Sequence, residues 1–350
     1  MGNIYAQKGA DICMEYTVLG RTNLKVSRSG FGALPIQRVS FDEAERLLLS
    51  AFDAGINFFD TARAYTDSEE KMGRVVPKIR SQIIIATKTM GASPEKLTED
   101  LETSLRSLKT DYVDIYQLHN PPEVPKEGSP IYEALRAAKK AGKIRFISIT
   151  AHKLTNAVEA AESGLYDTVQ YPLSALSDER ELDLARKFPD LGIIAMKAMC
   201  GGLLKSAAPS MAYLRRFPNV VPIWGFQAAS ELNEVIALEK NPPPLDEAMS
   251  AEIAAIRAEL SGDFCRGCGY CKPCPREIII DWCARMPLLL RRAPWRNFTN
   301  EHWRGEMAKI ESCTGCGACK ARCPYELDTP KLLADALADF KEFLRSKGLS

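Results

Sequence analysis

The sequence predicts an α/β chain, a closed (β/α)8 barrel of TIM type with a small second domain at its C-terminal end. Two observations predict the barrel. Between Glu15 and about residue 240, eight short β-type runs alternate with amphipathic helical patterns. Such alternation makes a parallel sheet, and the strand count suits closure. The rival, an open doubly wound sheet, lacks its G-x-G-x-x-G fingerprint, because Gly30-Phe31-Gly32 has neither the third glycine nor the acidic residue in register. A third observation predicts the second domain: nine of the 11 cysteines fall between Cys265 and Cys323.

In chain order the candidate strands are 29–32, 57–60, 82–87, 112–118, 145–150, 168–171, 192–196 and 220–224. The helical patterns between them include 42–54, 94–108 and 131–141. Ser93-Pro94 pairs an N-cap serine with proline at the first helical position, and Gly142 stands where a glycine commonly ends a helix. The prolines 242–244 mark a boundary, and 247–260 reads as one linking helix. The expected organisation is therefore a barrel over 14–245, a linking helix over 246–260 and a cysteine-rich domain over 261–350.

A net charge of +1 argues against a nucleic-acid surface, and 46% hydrophobic residues suffice for a sizeable core. The first 13 residues, MGNIYAQKGADIC, hold no apolar h-region. No run approaches the ~18 apolar residues of a membrane span. A disulfide framework belongs to short secreted chains, so a reducing cytoplasm is expected, with neither membrane nor nucleic acid as partner.

The first cysteine run is Cys265-x2-Cys268-x2-Cys271-x2-Cys274-Pro275, and the second is Cys313-x2-Cys316-x2-Cys319-x3-Cys323-Pro324. A spacing of three cannot put several thiolates on one helical face, but it suits a loop wrapped around a cuboidal cluster. The second run has the bacterial ferredoxin spacing, in which the fourth cysteine ligates the other cluster. Cys274 and Cys323 are thus candidates for exchange between two [4Fe–4S] sites. The first run departs by one residue before its fourth cysteine. Zinc usually takes two CxxC pairs across a longer loop, which leaves two four-cysteine zinc sites, or plain buried cysteines, as the alternatives. Cys13, Cys200 and Cys283 read as core residues. The stretch 276–311, with Trp282, Trp295, Trp303, Arg291 and Arg292, reads as a helical spacer packed on the barrel, with a docking surface or lid as the alternative.

Three segments carry a family resemblance: GFGALPIQRV at 30–39, INFFDTARAY at 56–65 and LETSLRSLKTDYVDIYQLH at 101–119. They resemble the aldo-keto reductases, (β/α)8-barrel enzymes that use nicotinamide cofactors. The likeness runs from about Met14 to Glu239. MKAMCGGLL at 196–204 and the cysteine tail look like a bacterial and archaeal branch with an appended ferredoxin-like, mostly helical domain. The resemblance implies a catalytic tetrad of Asp60, Tyr65, Lys88 and His119. The residues agree with it, since Asp60, Lys88 and His119 end successive candidate strands, and that face of a barrel carries the active site. Carbonyl reduction needs a proton for the developing alkoxide, and an ammonium at Lys88 is expected to lower the phenol of Tyr65 toward that task. Asp60 would hold Lys88, and His119 would hydrogen-bond the substrate oxygen.

The resemblance also assigns Gln170 to the nicotinamide carboxamide. Ala151 replaces the asparagine that usually shares that contact, and His152 beside it is either an active-site residue or a surface histidine. Lys197 faces a phosphate or substrate, or forms a salt bridge. The family's phosphate loop follows the eighth strand, here Gly225, Phe226, Gln227 and Ser230 in GFQAASELNEV. A helix start offers backbone N–H groups to a phosphate. No basic residue lies between Arg216 and Lys240, and Glu231 and Glu234 would repel one, which makes NADP doubtful and NAD, or a changed site, the alternative. Two functions follow. One is a carbonyl/alcohol oxidoreductase acting on a small molecule, coupled to or supported by two [4Fe–4S] clusters. The other is an electron-transfer or redox-sensing module with the barrel as scaffold for a partner protein. A flavin would convert two-electron to one-electron transfer, but no flavin signature is present.

Overall fold

The protein is described here by a computed structural model covering residues 14–260, 264–292 and 295–349, without the Arg292 side chain. Cys13 lies outside these residues. The chain divides into two compact units. One is the chain up to Ala198 with Ala207–Met249; the other is Met199–Ser206 with Ser250–Ser350.

The first unit opens with an antiparallel hairpin, β1 (Tyr16–Val18) and β2 (Lys25–Ser27). Eight parallel strands follow: β3 (Gly30–Gly32), β4 (Phe58–Asp60), β5 (Ile84–Thr89), β6 (Val113–His119), β7 (Ile144–Thr150), β8 (Thr168–Pro172), β9 (Gly192–Met196) and β10 (Val220–Gly225). They close into a barrel in that order, with β10 pairing both β3 and β9. Each strand lies within two residues of its sequence expectation.

The helix signals also hold. The helix Phe41–Asp53 starts on a reciprocal Ser40–Glu43 capping box, and Pro94–Leu108 starts on the Ser93 hydroxyl. Pro130–Lys140 ends before Gly142 at φ +73°. The hairpin was not anticipated from the sequence. Its residues Leu19, Leu24 and Val26 fill the barrel interior with Phe58, Ile84, Ile115, Ile194 and Val221. Gly192 makes room for this plug: a Cβ there would stand 2.8 Å from Leu19 Cγ.

The second unit is helical, with no strand among its described residues. Its longest helix, Thr329–Ser346, places Leu333, Ala336 and Phe340 against Ile280, Cys283, Met286, Leu290, Met307 and Ile310. The tryptophan-rich stretch, expected as a spacer on the barrel or a lid, supplies this unit's own core. Trp282 and Trp303 lie 5.2 Å apart between ring centroids, and Trp295 meets Phe343 edge-on at 5.8 Å. Arg291 grips Asp339 through two bonds of 2.6 and 2.8 Å. Cys283 and Cys200 are buried, as expected of core residues.

Candidate active site

Strand register assembles the barrel site. Asp60 is the last residue of β4, Lys88 the penultimate of β5 and His119 the last of β6. Lys88 sits opposite Gln117, and His119 opposite Thr150, which in turn faces Gln170 on β8. Lys88 Nζ donates to Asp60 Oδ1 at 2.5 Å and to the Thr61 carbonyl at 2.7 Å. Both side chains are at most 2% exposed. Burial pushes the Asp60 carboxyl up and the Lys88 ammonium down, and each charge works against the other's shift. A buried ion pair is weak evidence of stability, and perturbed ionisable groups at barrel strand ends point to a functional site.

Tyr65 lies in the loop after β4 and is partly buried. Its ring stands edge-on to His119 at 5.8 Å, and Lys88 Nζ is 5.1 Å from the ring centre. The four expected residues therefore converge. One expectation is corrected: the phenol of Tyr65 is raised above its ordinary value, by burial first and then by the Asp60 charge. Lys88 commits its hydrogen bonds to Asp60 and Thr61, so its charge is countered before it reaches the phenol.

Gln117 escaped sequence reasoning. Its Nε2 donates to Asp60 Oδ2 at 2.9 Å. The signal was available: Gln117 lies two residues before His119, so strand periodicity puts both on the same, interior face. Gln170 also bonds Asp60, and its Oε1 is buried with no hydrogen-bond partner. His119 Nδ1 is likewise buried without a partner. His152 is 6% exposed rather than a surface histidine. Burial, helped by Lys88 and His152, takes His119 down to about 3; burial, helped by Lys197, takes His152 down to about 3. Lys197 holds a left-handed backbone at φ +61°, a strained conformation of the kind that clusters at functional sites.

The two histidines make stability depend on acid. The ordinary histidine value is 6.5, and the folded values are about 3. As pH falls between them, the unfolded chain binds protons that the folded chain does not. The stability each contributes is present above pH 6.5 and lost toward pH 3, at up to about 1.4 kcal/mol per pH unit. Urea midpoints should drop between neutral pH and about pH 4.5, and drop less in His152→Gln. An unchanged pH slope in that variant would contradict the assignment.

The loop after β10 departs from expectation. Glu231 Oε2 accepts from Gln227 N at 2.7 Å and Ala228 N at 3.1 Å, so the protein's own carboxylate caps the helix Ala229–Lys240. The N–H groups expected to face a phosphate are thus engaged. Phe226 is buried against Phe31, while Gly225, Gln227 and Ser230 are exposed. Glu234 accepts from Ala207 N at 2.8 Å. A basic side chain does reach this loop from far away in sequence: Arg38 Nη1 donates to Gln227 Oε1 at 3.4 Å.

In the second unit the eight thiols ring two cavities. Cys274, Cys313, Cys316 and Cys319 line one, and Cys265, Cys268, Cys271 and Cys323 line the other. Each run lends its fourth cysteine to the other's cavity. The one-residue departure of the first run does not prevent this. Among the described residues no three His, Cys, Asp or Glu side chains converge closely enough to hold a single metal ion. Backbone N–H groups of Gly267 and Arg276 point at Cys265 and Cys274 sulfurs at 3.4 Å. Burial pushes the Cys271 thiol up to about 12, so a cationic group is needed to hold it as thiolate.

Proton-handling groups gathered without an activated nucleophile suit chemistry at a carbonyl oxygen, and thiol-lined cavities suit electron traffic. The class so defined is an oxidoreductase. Comparison with known proteins makes it particular: residues 29–244 match the aldo/keto reductase family and residues 264–328 match the 4Fe-4S dicluster domain. The chain belongs to the aldo/keto reductase family. It is 34% identical to L-galactose dehydrogenase of Arabidopsis thaliana over 219 residues, covering 56% of this chain and 69% of that protein. It is 32% identical to aldo-keto reductase YhdN of Bacillus subtilis (strain 168) over 213 residues, covering 55% of this chain and 64% of that one. The aldo-keto reductase AKR11C1 of Bacillus halodurans shares the fold, with a TM-score of 0.61 at 22% identity over 69% of this chain and 96% of that one. Among the described residues no helix is long and apolar enough to cross a membrane.

Proposed function

We propose that this protein interconverts a small-molecule carbonyl and its alcohol with a nicotinamide cofactor, and that its C-terminal region holds two [4Fe–4S] clusters. The convergence of Asp60, Tyr65, Lys88 and His119 carries the first part. The division of labour follows the chain: the barrel over 14–245, the linking helix over 246–260 and the cluster domain over 261–350.

The unpartnered Gln170 Oε1 suits a carboxamide N–H, so the residues fit a nicotinamide. Such a cofactor, when bound, supplies or accepts hydride. The chain's own residues manage the proton and the oxygen. Tyr65, kept protonated by its raised value, gives its proton to the oxygen of the substrate, since an alkoxide is a stronger base than a phenolate. His119 is neutral at pH 7 and donates a hydrogen bond to the same oxygen without adding a charge. The Lys88–Asp60 pair, held by Gln117 and Gln170, fixes the floor on which Tyr65 sits.

Glu231 supports NAD over NADP, because its carboxylate occupies the helix start where a 2′-phosphate would seek backbone N–H groups. Glu231→Gln should raise the NADPH-to-NADH ratio of kcat/KM by about tenfold, equivalent to ~1.4 kcal/mol. An unchanged ratio would remove Glu231 as the determinant.

The cysteine exchange is tested by Cys323→Ser. It should cost about half the iron and free Cys265, Cys268 and Cys271, not Cys313, Cys316 and Cys319, for alkylation. Release of the second run's own thiols would mean each run binds by itself. Coupling of the two regions is tested by titrating the anaerobic, iron-loaded protein with NADH and NADPH while following the cluster absorption. Bleaching supports a redox link from barrel to clusters, in which case a bound flavin is the first thing to seek. Absence of bleaching, with a low-potential reductant still effective, leaves the clusters to a one-electron partner protein or to a structural role.

A further inference from the structure

The two thiol-lined cavities differ in their surroundings. Each holds one buried thiol, Cys319 in the first and Cys271 in the second, but Cys313 and Cys316 of the first are exposed whereas Cys265 and Cys268 of the second are half-buried. The basic residues beside the first of these cavities, Arg276 and Arg322, are exposed to solvent. The second is lined by the half-buried Arg266, and behind its thiol loop, at Gly267, stands Arg285, at 6% exposure the one buried cation among the described residues of this unit.

The backbone is shaped around that guanidinium. Its Nη2 donates to the Gly201 carbonyl, in the segment Met199–Ser206 that belongs to this unit. Gly267, between Cys265 and Cys268, has φ +65°, and a Cβ on it would collide with Nη1 of Arg285. Gly201 has φ +69°, and a Cβ there would stand 3.5 Å from the same nitrogen. Gly267 therefore admits the cation to the thiol loop, whereas at Gly201 the guanidinium lies at ordinary contact distance. The Gly267 N–H in turn bonds Cys265 Sγ at 3.4 Å. Cys265 Sγ also lies 3.9 Å from the Asp281 carbonyl oxygen, and the Asp281 carboxylate is paired with Lys272 at 2.7 Å.

We propose that Arg285 is a tuning residue, raising the reduction potential of the cluster held by Cys265, Cys268, Cys271 and Cys323 relative to the cluster in the more exposed cavity. The inference rests on the two-cluster reading above. Reduction takes one electron from a low-potential one-electron donor, adds one negative charge to the cluster and its thiolates, and makes or breaks no bond. A fixed cation in a poorly solvated place stabilises that added charge more than it does at the surface. The structure thereby gives one cluster a buried cation that the other lacks.

The test is an anaerobic potentiometric titration of the full, iron-loaded chain, read by electron paramagnetic resonance, with Cys268→Ser and Cys316→Ser assigning the two signals. Arg285→Gln should lower one potential by at least the equivalent of a tenfold change in the reduction equilibrium, about 59 mV for one electron, and leave the other in place. Arg285→Lys should recover most of the shift. Unchanged potentials, or equal shifts of both clusters, would overturn the proposal. So would iron loss from both Arg285→Gln and Arg285→Met while Arg285→Lys keeps its iron, because the role would then be structural. A wild-type chain that binds fewer than two clusters would instead sink the underlying reading.

Discussion

Tyr65→Phe is expected to lower the rate of carbonyl reduction by roughly 10²–10⁴-fold, the usual contribution of a positioned general acid. The phenol is the acidic hydrogen nearest the place where His119 and Lys88 converge, and its raised value keeps it protonated throughout the physiological range. Phenylalanine keeps the ring and its edge-on contact with His119, so folding and cofactor affinity should change little. A steady-state assay with a panel of small aldehydes and ketones, alongside cofactor titration of both proteins, separates the two effects. Retained turnover would move the proton donor elsewhere and take the tetrad reading with it. A loss shared equally by turnover and cofactor affinity would point to a collapsed pocket.

Lys88→Met should cost about 3–5 kcal/mol of stability as well as activity. The substitution leaves the Asp60 carboxylate buried, with Gln117 and Gln170 bonding it but no cation beside it. Burial already pushes that carboxyl upward, and without Lys88 it has reason to take up a proton. The loss should therefore shrink as pH falls, and the double variant Lys88→Met/Asp60→Asn should regain much of the stability without regaining turnover. Urea denaturation of wild type, single and double variants measures this. If the single variant were as stable as wild type, the pair would be peripheral to the fold.

The barrel and the cysteine arrangement were legible because they are written in local signals. Alternation of strand and helix patterns located all eight barrel strands, and Ser93 before Pro94 marked a helix start. The spacing of the second run anticipated the exchange of Cys274 and Cys323. What stayed illegible depends on residues far apart in sequence. The hairpin plug is defined by Leu19 meeting strands up to β10. The direction of the Tyr65 shift depends on burial in the folded barrel and then on the Asp60 charge brought beside it. Arg38 reaches the loop after β10 across 189 residues, so a search for basic residues near Gln227 in sequence could not find it. The tryptophans were visible, but Phe343, the partner of Trp295, lies on a helix that follows both cysteine runs.

The trading of fourth cysteines has a consequence for assembly. Neither cavity is complete until both runs have met, so the segment between them behaves like a strap with two buckles that fasten together. Under the two-cluster reading, a cell short of iron would contain a mixture of empty and finished molecules, with few carrying a single cluster. Maturation then works as a threshold, and a quality-control protease would meet a clear distinction between a loose tail and a closed one.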